Sequence, residues 1–450
     1  PPPHPSAPPE HAPPVPPPPL APVPLAPVPP PASPPPSMRS RRVVVTGIGA
    51  ITPIGLTARG LWAGLRAERS AVGALTRFDP SEWRSRIAAQ VDDFSASDHL
   101  EARRVKRLDR FGQFSVVSAL QAAADAELDL TTEDRERVGV MMGTALGGIG
   151  FAEQELRKFV GGGQRAVDPT LALAVFGGAS SCNVAIDLGV MGPNSTNAMS
   201  CASGTIAIGE AFRQVRDGHA DVMLAGGAEA PLMPLCFGAF AMIRAMSTRN
   251  DDPGAASRPF DRGRDGFVMG EGAAALVLEE RGRALARGAR IYAEVCGFGT
   301  TNDAFHMTAP RPDARQSARA MCLALADAQT APHEVDYVNA HGSSTPLNDP
   351  TETAAMKQVF GDHAARLQVS STKGYYGHAL GASGAIEAAI TALALHREWL
   401  PPTINHETPA EGCDLDYIPQ HGRAAAVDVA MSNSFGFGGI NATLVLRRAD

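Results

Sequence analysis

The chain has 450 residues, 44% hydrophobic and 19% charged, enough apolar material to bury a large core in one domain or two. A net charge of −7 gives no reason to expect nucleic-acid binding, and no run of about 20 apolar residues is present to span a membrane. Six cysteines (Cys182, Cys201, Cys236, Cys296, Cys322, Cys413) stand without C-x-x-C pairing; this argues against a disulfide framework or a metal site, and a soluble protein of the reducing cytoplasm is expected.

Residues 1–37 hold more than half of the 38 prolines, mixed with Ala, Val and Ser, which predicts an extended, polyproline-like, disordered tail without a core. The segment lacks the basic start and apolar stretch of a secretory signal. Met38, ahead of Arg39-Ser-Arg-Arg, looks like a natural beginning. A linker, a docking segment and translated sequence upstream of the true start all fit the tail.

Arg42-Val-Val-Val-Thr-Gly-Ile-Gly-Ala is an apolar, β-branched run closed by glycines, predicted to be a buried strand and turn. Its glycines do not make a dinucleotide site, because Pro53 stands where a phosphate-binding helix should start and the third glycine is misplaced. Helical periodicity follows at 58–67 and 111–126. Between them Arg103-Arg-Val-Lys-Arg-Leu-Asp-Arg concentrates positive charge in an acidic protein, either a solvated face or a docking patch. Short apolar runs ending in glycine recur near 138–143, 220–228, 274–279, 291–298, 335–340 and 442–446. Strands of this kind, alternating with helices, indicate α/β layering with strands buried on both faces. The same order of strand, glycine turn and helix occurs before and after about residue 290, so two similar halves are expected.

In the first half, Asn197-Ala-Met-Ser-Cys-Ala-Ser-Gly follows a Gly-Pro turn and leads into Thr205-Ile-Ala-Ile-Gly-Glu-Ala-Phe, so Cys201 should open a helix. The helix N-terminus is expected to lower its thiol pKa, which suits a covalent nucleophile; a buried structural cysteine is the plain alternative. In the second half, Asn339-Ala-His-Gly-Ser-Ser-Thr-Pro puts His341 at a strand end, where α/β proteins bind ligands. Ser370-Ser-Thr-Lys-Gly-Tyr-Tyr-Gly-His-Ala-Leu-Gly-Ala-Ser-Gly places Lys373 and His378 in a glycine-flanked run. Asn433-Ser-Phe-Gly-Phe-Gly-Gly is too glycine-rich for an ordinary strand and is predicted to be a loop that approaches something closely. Two histidines and a lysine in glycine-bracketed turns are hard to explain as packing.

These segments, with S-C-A-S-G, R-R-V-V-V-T-G-I-G, A-M-S-T-R-N-D-D-P and S-R-P-F-D-R-G-R-D-G-F-V-M-G-E-G, resemble the β-ketoacyl-acyl carrier protein synthases of the elongating, FabF-like type, from about Met38 to the C-terminus. The resemblance implies a thiolase-like α/β fold: two duplicated halves, 38–290 with the nucleophile and 291–450 with the His, His and Lys, forming a layered αβαβα core. It implies decarboxylative condensation of an acyl chain on Cys201 with a malonyl extender, both carried on the phosphopantetheine of acyl carrier protein, with no further cofactor. His341 and His378 would stabilise the enolate, Lys373 with Glu352 would order the site, and the N–H groups of Cys201 and Phe437 would form the oxyanion hole, Phe437 being also the gate. Ser343 and Thr345 would bind the pantetheine arm. Leu146, Ser200, Cys236 and Phe240 would line the acyl pocket, with Leu146 closing its far end. Arg103, Lys106, Arg107 and Arg244 would dock the acidic carrier protein. A homodimer is implied, and a heterodimer with a chain-length factor is an alternative.

Ser200, Tyr375-Tyr376 and Ile440 depart from the usual pattern, around what is expected to be the pocket. Fatty-acid elongation is the main reading; a ketosynthase of a type II polyketide or polyene pathway is the alternative. A thiolase is disfavoured because His378 stands in the matching segment and the C-terminal loop has no cysteine. Cys201 argues against a chain-length factor, and the missing phosphate loop against a nicotinamide-dependent oxidoreductase.

Overall fold

The computed structural model describes residues 41–449. The predicted proline-rich tail, 1–37, and Met38 lie outside the described residues. The first half of the chain supplies β1 (Val43–Thr52), α1 (Arg110–Asp125), β2 (Val138–Gly143), α2 (Ala179–Leu188), β3 (Asn194–Asn197), α3 (Ser203–Arg216), β4 (Val222–Glu229), α4 (Pro234–Met242) and β5 (Gly272–Glu280). The second supplies β6 (Ala293–Asn302), α5 (Arg315–Asp327), β7 (Tyr337–Asn339), α6 (Asn348–Phe360), β8 (Gln368–Ser370), α7 (Ser383–Arg397), β9 (Val429–Gly436) and β10 (Ile440–Arg447).

The strands hydrogen-bond in the order β8-β7-β9-β10-β6-β1-β5-β4-β2-β3. Read outward from the middle, each side runs first, fifth, fourth, second and third strand of its own half. The order of elements is also the same on both sides, apart from α4. β1 and β6 join the halves antiparallel, Val43 opposite Val295 and Val45 opposite Ala293. In each half the second strand pairs parallel with its third and fourth; β2 and β4, with Val- and Met-rich runs, are buried throughout, and β7 and nearly all of β9 likewise, whereas the polar edge strand β3 is exposed to half-buried.

Helices α3 and α7 form the central layer, and their sequences say why. In α7, Ser383 to Leu395 are all buried, and a helix that is apolar all round must be covered on every side. α3 buries Ala207, Ile208, Ala211, Phe212 and Val215 in the same core cluster. The two helices cross at their starts through glycine. A Cβ on Gly204 would lie 2.7 Å from the Ala385 nitrogen, and one on Gly384 would lie 2.1 Å from Thr205 Oγ1. α1 and α5 cover the outer faces by equivalent contacts with β1 and β6.

One predicted element changes. Asn433–Gly436 is not loop but the end of strand β9, paired with β10 as far as Gly436 opposite Ile440. The turn is confined to Phe437, Gly438 and Gly439, the two glycines at φ 83° and 74°. The predicted close approach is there: a Cβ on Gly436 would stand 3.1 Å from the main-chain nitrogen of Cys201.

Candidate active site

Cys201 lies in a single 3₁₀ turn, Ser200–Ala202, that runs directly into α3. The turn has a counterpart, Leu380–Ala382, that runs into α7, and in both the first residue is left-handed, Ser200 at φ 52° and Leu380 at φ 41°. Non-glycine residues persist in that region only where their surroundings hold them, a common condition at reactive sites. By this internal symmetry Gly381 occupies the place of the cysteine in the second half.

His341 follows β7, and its placement is fixed through the main chain: the N–H groups of His341 and Gly342 donate to the two carboxylate oxygens of Glu352 on α6, each at 2.8 Å. Lys373 Nζ donates to the carbonyl of His341 at 2.6 Å. Its ion-pair partner is Glu387 of α7, not Glu352 as expected. Both members are essentially inaccessible to solvent, which makes an unpaired state of either costly. Glu352 thus supports the site by holding the His341 turn. Glu387 escaped the sequence reading, though a lone carboxylate in the apolar helix S-G-A-I-E-A-A was a legible sign.

His378 follows Gly377, which sits at φ 68°. Its Nδ1 is hydrogen-bonded to Ser383 Oγ at 2.8 Å, so Nε2 is the nitrogen left for a ligand. The two imidazoles lie with ring centroids 5.3 Å apart and planes at 80°. Burial, reinforced by the charge of Lys373, holds both well below the usual histidine range, so both are neutral at pH 7. Each can donate one N–H without carrying charge.

The thiol behaves differently from expectation. Burial pushes Cys201 up, and the Ser200 hydroxyl at 3.7 Å, the Lys373 charge and the Phe437 N–H oppose that rise without cancelling it. The helix N-terminus therefore does not by itself make a resting thiolate: Cys201 is 7% exposed, and desolvation of the anion prevails.

Cys201, His341 and His378 line one cavity of about 290 Å³. Ser343 and Thr345 also line it, their hydroxyls 2.9 Å apart, as do Phe240 and Phe437, which stack at 6.3 Å. Arg244 stands on the same lining and is exposed, whereas Arg103, Lys106 and Arg107 are exposed but do not line the cavity. Leu146 and Phe240 pack against the apolar cluster formed by Cys201, Leu232, Phe237, Ala241, Met269 and Leu380. Cys236 is buried on α4, its thiol pushed up to about 12 by burial; Cys236, Leu146 and Ser200, expected to line the acyl pocket, are not on the lining of this cavity. Tyr375 and Tyr376, expected near the pocket, are instead fully buried in the central core cluster. Among the described residues no group of three or more His, Cys, Asp or Glu is arranged to hold a metal, and no helix is long and apolar enough to cross a membrane.

A buried cysteine on a turn before the central helix, opposed by two neutral imidazoles and a lysine held to one of them, is equipped for acyl transfer with stabilisation of a developing oxyanion. Residues 40–284 match the family described as beta-ketoacyl synthase, N-terminal domain, and residues 292–407 its C-terminal domain. The chain belongs to the beta-ketoacyl synthase family. It is 48% identical to the 3-oxoacyl-[acyl-carrier-protein] synthase 2 of Synechocystis, over 92% of this chain and 99% of that one. The enzyme of the same name from Coxiella burnetii is 46% identical over 91% of this chain and 99% of its own length. Among solved structures, a type II polyketide ketosynthase in complex with its acyl-carrier protein superposes with a TM-score of 0.85 at 35% identity, covering 91% of this chain and all of that one. The ishigamide ketosynthase/chain length factor gives 0.86 at 36% identity with the same coverage. This ketosynthase therefore has the thiolase-like fold of its relatives and is an acyltransferase enzyme.

Proposed function

We propose that this ketosynthase elongates fatty acyl chains by decarboxylative condensation with malonyl-acyl carrier protein. The observation that supports this best is Cys201 on one cavity wall facing His341 and His378, in a chain 46–48% identical to two 3-oxoacyl-[acyl-carrier-protein] synthases 2. Cys201 Sγ attacks the acyl thioester, the bond to the carrier's pantetheine sulfur breaks, and the thiol proton leaves with that sulfur. The malonyl thioester then enters and loses carbon dioxide, and the enolate oxygen takes hydrogen bonds from the two neutral imidazoles. The enolate carbon attacks the acyl group, the N–H groups of Cys201 and Phe437 hold the tetrahedral oxyanion, and its collapse breaks the bond to Cys201, which departs as a thiolate and takes a proton from water. Ser343 and Thr345 hold the pantetheine arm, and no other cofactor takes part. Lys373 and Glu352 act as positioning residues through the turn that carries His341.

The acyl pocket lies beyond Cys201, between Leu146, Cys236 and Phe240. Arg244 at the cavity mouth, with Arg103, Lys106 and Arg107, receives the acidic carrier protein. We place the protein in the cytoplasm, where its six unpaired cysteines stay reduced. Residues 38–290 and 291–450 are its two halves, a division supported by the repeated strand order. It pairs with a second copy: among the described residues β3 ends the sheet with one edge unpaired, and half of the exposed large apolar side chains, including Phe159, Leu173, Phe176, Ile186 and Met191, fall in residues 156–191 leading to that edge.

A type II polyketide role, as the active half of a heterodimer with a chain-length factor, is the second reading, favoured by the likeness to a type II polyketide ketosynthase and to a ketosynthase/chain length factor at 35–36% identity. Intact-mass analysis after incubation with acyl and polyketide carrier proteins tests both. Saturated acyl groups on Cys201 uphold elongation, polyketide chains alone uphold the second reading, and no adduct from any donor rejects both.

A further inference from the structure

We propose that Glu229 is a positioning residue for chain-length selection: its carboxylate fastens the 144–146 turn to the 380–381 turn and so fixes both sides of the acyl pocket beside Cys201. The inference rests on the ketosynthase reading above. Glu229 is the last residue of β4, completely buried, and nothing in the proposed chemistry uses it. One oxygen accepts the N–H groups of Ala145 at 2.6 Å and Gly381 at 3.0 Å. The other accepts the Leu146 N–H and the Thr144 hydroxyl, both at 3.1 Å. No cation pairs with it among the described residues.

The two segments it joins come from different halves of the chain. The first carries Leu146. The second carries Leu380 and leads into α7, which holds Ser383 and Glu387, the partners of His378 and Lys373. Leu146 and Leu380 belong to one apolar cluster with Cys201. There is no slack at the junction, since a Cβ on Gly381 would stand 2.3 Å from the Ala145 nitrogen and 2.7 Å from Glu229 Oε2. A buried carboxylate that accepts four hydrogen bonds is rigid only while both oxygens accept. With burial raising it to about 7, it lies near the point at which one oxygen gains a proton.

Glu229→Gln places an amide nitrogen where one oxygen was. The Thr144 hydroxyl can turn to accept from that nitrogen but the Leu146 N–H cannot, so the Leu146 N–H loses its partner. The full-length protein is mixed with carrier protein bearing acetyl or dodecanoyl thioester, and loading of Cys201 is followed by intact mass. We expect dodecanoyl loading to fall about tenfold, the effect of one orphaned buried N–H, while acetyl loading changes little. A second readout separates positioning from general damage. Removing the negative charge of Glu229, which together with burial raises the thiol, shifts the midpoint of Cys201 alkylation by iodoacetamide to lower pH, with Ser200, Lys373, His341, His378 and the Phe437 N–H unchanged around it. Equal loss for both acyl groups, no loss for either, or an alkylation midpoint that stays or rises overturns the inference. Should Glu229→Gln not fold, Thr144→Val must reproduce the selective dodecanoyl loss and Thr144→Ser must restore it; indistinguishable Val and Ser variants overturn it as well. A parent protein that loads neither acyl group sinks the ketosynthase reading and this inference with it, whereas a parent that loads both leaves the inference to be judged by the variants alone.

Discussion

Lys373 and His341 are joined by a hydrogen bond from the ammonium to the main-chain oxygen of the histidine, in a site where both side chains are almost fully buried. The lysine therefore acts on the histidine through its backbone, and its charge is balanced by Glu387. Lys373→Met breaks this buried pair and should cost about 3–5 kcal/mol of stability, read from denaturant unfolding. It should also slow decarboxylation about 100-fold, the usual consequence of a misplaced catalytic group. In the double variant Lys373→Met/Glu387→Leu the stability should return, because an apolar pair satisfies the same volume, and the rate should not. Recovery of both would make the pair purely structural.

Cys201→Ala should take up no acyl group while leaving the fold intact, since the change is small and the neighbouring Ser200 hydroxyl is a poor replacement for the thiol. Cys201→Gln should still release carbon dioxide from malonyl carrier protein, because the imidazoles that hold the enolate are untouched. An acyl adduct on the alanine variant would remove Cys201 from its role, and a glutamine variant that releases no carbon dioxide would count against His341 and His378.

Much of this arrangement was legible in the chain, and the unread parts share a physical cause. Strand runs such as Val138–Gly143 and turns such as that before His341 announce themselves through local composition, so seven strands and the positions of Cys201, His341, Lys373 and His378 followed from sequence and resemblance. The Lys373–Glu387 pair joins a turn to the buried interior of a helix 14 residues on, and its partner looked like one carboxylate among 47 acidic residues. Glu229 was hidden for the same reason: its four donors come from two segments more than 80 residues distant on either side. The raised thiol pKa is not legible in the sequence, because a helix N-terminus can be read there, whereas the depth at which it is buried cannot. Tyr375 and Tyr376 show the limit of carrying positions over: neighbours in sequence of Lys373, they point into the central core.

The histidines give a pH prediction whose sign is fixed. Both are held well below their ordinary value, so below about pH 6.5 the unfolded chain takes up protons that the folded protein refuses, and stability falls as pH falls. In His378→Asn, whose amide can keep the bond to Ser383, one source of that loss disappears. The stability gap between parent and variant should therefore shift in favour of the variant as pH falls from 7 to 5. A gap independent of pH in chemical denaturation would show that His378 protonates freely in the folded state.

Arg244 and the Arg103–Arg107 segment make separable predictions, because only Arg244 stands on the cavity lining. Arg244→Glu should raise KM for carrier-bound substrates about tenfold at low salt and leave acyl-pantetheine substrates almost unaffected. The pair Lys106→Glu/Arg107→Glu should chiefly flatten the salt dependence of kcat/KM, as expected of charges that steer the carrier before it seats. Unchanged kinetics at low ionic strength would reduce Lys106 and Arg107 to a solvated face.

Chain length is the property most sensitive to a single side chain here. Leu146 packs against the cluster of Cys201, Leu232, Phe237 and Leu380, and its own N–H is tied to Glu229 at 3.1 Å. Its backbone is thereby prevented from yielding, so space for a long acyl group has to come from rotation of the leucine side chain between its staggered positions. Phenylalanine at this position is rigid beyond its second torsion and fills more volume than the site provides. Leu146→Phe should spare transfer of acetyl and butyryl groups, which do not reach it, and should block chains beyond about six carbons, since overpacking of about 1–3 kcal/mol penalises only the substrates that need the space. That range corresponds to a loss of about tenfold to 100-fold in kcat/KM for long acyl groups, measurable from the product distribution under competition between butyryl and decanoyl carrier protein. A distribution identical to that of the parent would mean that the chain leaves Cys201 in another direction, past Phe240 and α4 instead of Leu146.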